Sequence, residues 1–253
     1  DWIFGYLTYD LKNDVEHLRS NNFDGLHFPD LYFFQPKKLF LIKGNTVEMQ
    51  YLKMVDDEIE SELKDIKQTV ISNECEKSHN SEPIKIKLRT SKDDYFSKVN
   101  QMLYHIHRGD IYEANFCQEF YSEDKEIQPY HVYNKLNIIS KTPFASFVKT
   151  DDKFLLSASP ERYIKRIGSK VISQPIKGTA KRSNNKREDR RLAEDLSQDL
   201  KERSENIMIV DLVRNDLSHT ATKGSVKVVE LCKVYSFLQV HQMISTVVSK
   251  VNQ

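Results

Sequence analysis

Hydrophobic positions in the first fifty residues come in short runs separated by polar turns. Leu39-Phe40-Leu41-Ile42 leads into Lys43-Gly44-Asn45, and Val47-Glu48-Met49-Gln50-Tyr51 then alternates with period two. This predicts a strand, a turn and a return strand. Asp56–Ile71 reads as a polar helix, and 72–83 (SNECEKSHNSEP) is the most loop-like stretch of the chain. Ile84–Leu88 alternates and reads as a strand. Ser91 is placed to cap a helix whose first turn carries Asp93 and Asp94, where the positive end of the helix dipole favours carboxylates. Tyr95, Val99, Leu103 and Ile106 share one face of that helix, and Gly109 ends it.

Beyond Gly109 the pattern predicts strands at Ala114–Tyr121, Phe144–Lys149, Phe154–Ser157, Tyr163–Ile167 and Val171–Ser173. Lys186–Val213 reads as helix in two parts, broken near Lys201. Val226–Tyr235 is β-rich, and Val240–Val251 fits helix or strand. Strands come in series without strict alternation with helices, which favours an α+β architecture over a doubly wound one. A single domain is expected, with an N-terminal subregion at 1–80 and a core at 84–253.

Composition narrows the classes. Hydrophobic residues make up 39% and charged residues 30%, a globular profile. Lys+Arg of 38 against Asp+Glu of 37 leaves a net charge of +1, so no global attraction draws the chain to nucleic acid or anionic membrane. Cys75, Cys117 and Cys232 lack CxxC spacing, which argues against a disulfide framework and for a reducing, cytoplasmic setting. No apolar run approaches the ~18 residues that cross a bilayer. With only 7 glycines and no GxGxxG or GxxxxGK[ST], a nucleotide-binding loop has no support. The chain starts at Asp1 without Met and stops at Gln253 after the apolar run Met243–Val251, so a longer natural protein is expected.

The most informative stretch for chemistry is Gln174–Arg182 (QPIKGTAKR). A strand-like run ends at Pro175, and Lys177 stands just before Gly178 and Thr179. Gly178 lets backbone N–H groups approach a ligand, and Thr179 adds a hydroxyl. A lysine serves as a nucleophile when its amine is neutral, a state that desolvation and neighbouring cations favour. Lys181 and Arg182 are close in sequence. Glu202 and Glu205, three apart, share one helical face.

Five segments, in order and spacing, resemble the chorismate-utilising enzymes, and within them the aminodeoxychorismate synthase branch. They are Gly109–Asn115 (GDIYEAN), Ser159–Tyr163 (SPERY), Pro175–Thr179 (PIKGT), Lys201–Asn206 (KERSEN) and Asp211–Leu217 (DLVRNDL). Val240–Ser245 extends the match, and residues 1–108 resemble the family's N-terminal half more loosely. The resemblance implies packed antiparallel sheets with outer helices. It also implies amination of chorismate at C4, feeding 4-aminobenzoate and folate synthesis.

By resemblance Lys177 is the nucleophile that adds to the ring at C2, and Glu161 is the general acid/base. Gly178, Thr179 and His241 contact substrate. Glu205, with Glu202 close behind, binds Mg²⁺, a hard cation suited to carboxylate oxygen. Ammonia would come from a glutamine amidotransferase subunit. Anthranilate-forming relatives usually carry Ala at the position of Lys177. Ala180, Glu113 and Gln242 depart from the residues common in the family, Gln242 standing where His is frequent. The family's later PGGSxTGAPK and RGxYxGxxGY stretches lie beyond Gln253. The fold is therefore expected to be incomplete at its C-terminus, and 253 residues alone are expected to show little or no turnover.

Three other readings compete. One is an anthranilate- or salicylate-forming enzyme. Another is a catalytically incomplete scaffold that docks a partner. The third is anion or nucleic-acid binding through 177–191, where seven Lys/Arg face Glu188 and Asp189. No aromatic residue interleaves that block, so it offers no stacking platform, and no nucleic-acid or membrane partner is expected.

Overall fold

The computed structural model describes residues 2–71 and 83–252. The chain forms two compact units that divide between Lys125 and Glu126. That division differs from the subregion boundary read at 80–84. The loop-like stretch, Pro83 excepted, lies outside the described residues.

In the first unit, β1 (Phe4–Leu7) pairs antiparallel with β2 (Leu31–Phe34), and the short α1 (Lys12–Val15) falls between them in sequence. The predicted hairpin is β3 (Lys38–Lys43) and β4 (Thr46–Tyr51). Gly44, at φ +58°, takes the left-handed turn that other residues resist. The polar helix divides into a 3₁₀ segment, Lys53–Glu58, and α2 (Ile59–Ile71), with a kink at Val55. α3 (Lys92–Arg108) has the expected ends: Ser91 Oγ accepts from Asp94 N at 3.2 Å, and Gly109 closes the helix at φ +87°.

Two strands there are shorter than their patterns suggest. Only Lys87–Leu88 (β5) and Phe120–Tyr121 (β6) pair, so 84–86 and 114–119 are not strand. Alternation supplies a strand-like face, but a ladder needs a partner along its length. Ile84 and Ile86 remain exposed.

The second unit begins with α4 (Pro129–Ser140), a helix without counterpart in the pattern reading. Its apolar residues are spread around the helix rather than gathered in a stripe. Tyr130 and Tyr133 pack edge-on or tilted against Phe147 of β7 (Phe144–Thr150), which forms a hairpin with β8 (Lys153–Ser159).

The central element is β13 (Val240–Lys250). The ambiguous apolar run is a strand because it has neighbours along both edges. One edge holds β12 (Lys227–Ser236). The other holds β10 (Lys170–Gln174) and β11 (Ile176–Lys181), and β9 (Arg162–Ile167) pairs beyond β10. All these pairings are antiparallel, as expected for the α+β class. Pro175 does not end the strand: it lacks an N–H, but its carbonyl accepts from Ser245 N, and the ladder resumes at Ile176.

α5 (Lys186–Gln198) and α6 (Leu200–Ser218) pack on one face of this sheet. The helical break falls at Asp199, whose carboxylate caps Glu202 N at 2.9 Å. Odd-numbered residues of β13 face the helices: Val247 packs with Val171, Val210 and Leu217, and Met243 with Leu196 and Cys232. Among the described residues no helix is long and apolar enough to cross a membrane.

Met243 is fully buried in the second of those clusters. Met243→Ala is expected to lower stability by about 2–5 kcal/mol. The check is a fall in the urea midpoint at unchanged slope.

Candidate active site

The PIKGT segment lies on β11, not in a turn after a strand. Ile176 pairs with Ile244 and Thr179 with Gln242, so three steps on β11 match two on β13. One extra residue bulges out at Lys177-Gly178. Gly178 has φ +96°, and a Cβ there would lie 3.2 Å from the Cβ atoms of both Glu202 and Met243. Only glycine combines this backbone with so close an approach of α6.

The bulge gathers most of the expected site residues. Lys177 is half-buried, and its carbonyl accepts from Asn206 Nδ2 at 3.2 Å. Glu161 is exposed, and its Oε1 accepts from Ile176 N at 3.1 Å, one residue before Lys177. Glu161's own N–H donates to Ser159 Oγ at 3.1 Å, which sets the start of the SPERY turn. Glu202 Oε2 would stand 3.3 Å from a Cβ on Gly178, so this carboxylate lies over the bulge. Thr179 is exposed on the strand directly opposite Gln242.

Glu205 follows Glu202 on the same side of α6. Lys201 Nζ reaches Glu205 at 3.0 Å and Glu202 at 3.4 Å, and the Glu205 bond foremost holds the Lys201 amine above its ordinary pKa. The Lys201 ammonium thus bridges the two carboxylates. The donors are hard oxygens, which fit Mg²⁺. Among the described residues no group of three or more His, Cys, Asp or Glu gathers into a metal centre.

His241, expected as a substrate contact, lies apart from this group. It is 1% exposed, and its ring nitrogens lie 2.8 Å from Ser236 Oγ and 3.0 Å from Asp189 Oδ1. Alternation along β13 puts it on the helix-packed face, whereas Gln242 and Thr179 share the other. Asp189 also receives two guanidinium bonds from Arg182, each 2.8 Å, and Ser183 N at 2.9 Å. Arg182 foremost, then the Ser183 amide, hold this carboxyl well below the usual carboxylate range. Asp189 and Arg182 thus form an ion pair within the fold.

Pattern reading missed Asn206, Ser245 and Cys232. Asn206 is 1% exposed and donates both amide hydrogens, to Lys177 O at 3.2 Å and Met243 O at 3.1 Å. Its signal in the sequence is an asparagine, a poor helix former, inside a helix and directly after Glu205.

With this geometry in place, comparison with known proteins is informative. The profile of the chorismate binding enzyme family matches residues 1–253, and the chain belongs to that family. An anthranilate synthase component I-like protein of Synechocystis sp. is 33% identical over 97% of this chain and 50% of its own length. Aminodeoxychorismate synthase component 1 of Escherichia coli is 38% identical over 63% of this chain and 35% of its own length. The crystal structure of anthranilate synthase component I from Streptococcus pneumoniae superposes with a TM-score of 0.83 at 22% identity, over 99% of this chain and 57% of that one. The fold is therefore the chorismate-binding fold, and the chain spans half or less of these curated relatives.

Because the folded-state acidity of Asp189 exceeds that of an ordinary aspartate (~3.9), its contribution to stability is fully present above about pH 4. It drains away as pH falls below that value. Asp189→Asn should therefore destabilise the protein at neutral pH, and the gap between wild type and variant should narrow on acidification. Thermal melts across an acid series provide the check.

Proposed function

We propose that the protein aminates chorismate at C4, the aminodeoxychorismate synthase reaction, which feeds 4-aminobenzoate and folate synthesis. The observation that carries this reading is Lys177 on the β11 bulge, one residue after the amide that binds Glu161 and beside Gly178, over which Glu202 lies. It joins a nucleophilic amine to a carboxyl group able to serve a leaving hydroxyl. Relatives named aminodeoxychorismate synthase component 1 support it at 36–39% identity.

In this scheme the neutral Lys177 amine adds to ring carbon C2. The ring double bond shifts, and the C4 hydroxyl leaves as water on taking a proton from Glu161. Ammonia then attacks C4, the double bond shifts back, and the C2–N bond to Lys177 breaks. The balance is chorismate plus ammonia giving the 4-amino compound plus water. Two displacements replace one that hydroxide, a poor leaving group, would make slow. Glu205 and Glu202 would hold Mg²⁺, which when bound offsets the charge of a substrate carboxylate. A glutamine amidotransferase subunit would supply the ammonia.

Anthranilate synthesis is the second reading. The long match to the anthranilate synthase component I-like protein favours it, while Lys177 counts against it through the Ala usual in those enzymes.

Lys177→Ala should abolish any ring-mass adduct on the protein and shift residual product toward anthranilate, read by intact-protein and product mass spectrometry. Formation of the amino compound at the wild-type rate by that variant would exclude Lys177 as nucleophile. Glu205→Gln should raise the Mg²⁺ concentration for half-maximal activity by about tenfold or more. An unchanged metal titration removes Glu205 from the site.

A further inference from the structure

We propose that Asn206 is the positioning residue for Lys177, and that the hydroxyl of Ser245 sets Asn206. The proposal rests on Lys177 being the nucleophile. Asn206 Nδ2 has two hydrogens, and both are spent on carbonyls that flank the bulge, those of Lys177 and Met243. Both partners are acceptors, so only the nitrogen end of the amide suits this position.

The oxygen end is equally determined. Ser245 Oγ accepts from Cys232 N at 2.9 Å, which directs the Ser245 hydroxyl proton to Asn206 Oδ1. Cys232 Sγ lies 3.7 Å from the same oxygen. Cys232 has φ +54° and sits where β12 slips register against β13 between Glu230 and Lys233. A flipped amide would put its oxygen against two carbonyls and its hydrogens against a hydroxyl oriented as donor. The chain of donors therefore runs one way: Cys232 N–H, Ser245 O–H, Asn206 amide, then the Lys177 and Met243 carbonyls. Its members are buried, with Ser245 and Asn206 at 0% and 1% exposure and Cys232 at 4%. It locks the backbone of Lys177 to α6, the helix that also carries Glu202 and Glu205. The geometry between nucleophile and carboxylates is thus set by an amide that is itself buried.

The test compares Asn206→Asp and Ser245→Ala in the full-length enzyme. Asn206→Asp keeps the shape but faces an acceptor toward two carbonyls. Ser245→Ala is the milder variant should the first fail to fold. Amide hydrogen exchange reads the bulge directly: Ile176, bonded to Glu161, and position 245, bonded to Pro175 O, should exchange about tenfold faster or more. Val251, bonded to Ser169 O, is the internal control and should not change. With chorismate, ammonia and Mg²⁺, kcat should fall about 10²-fold, with loss of the Lys177 adduct and little change in KM. Folded variants that match the wild type in exchange and in kcat overturn the proposal and leave the role of Lys177 intact. A wild type that never forms an adduct sinks the nucleophile reading instead, and hydrogen exchange alone then decides whether Asn206 sets the bulge.

Discussion

A single carboxamide, that of Asn206, ties the helix α6 to two strands at once. Its two N–H groups meet carbonyls of β11 and β13 at the place where the sheet departs from regular pairing. A bulge leaves backbone carbonyls without ladder partners, and burying them unsatisfied costs about 1–3 kcal/mol each. Asn206 removes that cost and so allows the bulge on β11 to sit under a helix. The extra residue at Lys177-Gly178 and the close contact of Gly178 with Glu202 both follow from this arrangement.

Two of the sheet's register shifts against β13, one on β11 and one on β12, contain a residue of positive φ. At Gly178 the positive φ costs little. At Cys232 it belongs to a residue with a side chain, where the left-handed conformation costs roughly 1–2 kcal/mol. The bonds of Cys232 N to Ser245 and of its thiol toward Asn206 and Arg203 O act against that cost. Small side chains at Gly178, Cys232 and Ser245 leave the space that α6 occupies.

β13 divides its polar residues by face. On the helix side, His241, Ser245, Asp189 and Asn206 form closed hydrogen-bond networks within the packing. On the other side, Arg162 Nε bonds Gln174, Gln174 bonds Thr246, and Thr246 and Tyr235 both donate to Glu230. Lys233, then Tyr235, draw the Glu230 carboxyl below its ordinary pKa, while burial and then Glu230 raise the Tyr235 phenol. A one-residue step along the strand separates these environments. That step is why neighbouring His241 and Gln242, so alike in the linear sequence, do unlike things.

Local signals in the chain determined much of this protein. Ser91 and Gly109 bound α3 because caps act within a few residues, the Gly44 turn closes its hairpin for the same reason, and Glu202 and Glu205 share a face through helical period alone. The family was legible from five ordered motifs. Tertiary structure alone decided the rest. Val240–Lys250 became strand because neighbours flank both edges, the 84–88 and 114–121 patterns found partners for only two residues each, and α4 was hidden by its lack of an apolar stripe. Side-chain direction on β13, the bulge that gathers Lys177, Glu161 and Glu202, and the role of Asn206 depend on hydrogen bonds between residues 15 to 39 apart in sequence. No local pattern encodes such long-range register, because it is set by which backbone groups can be satisfied once the helices and sheet are packed together.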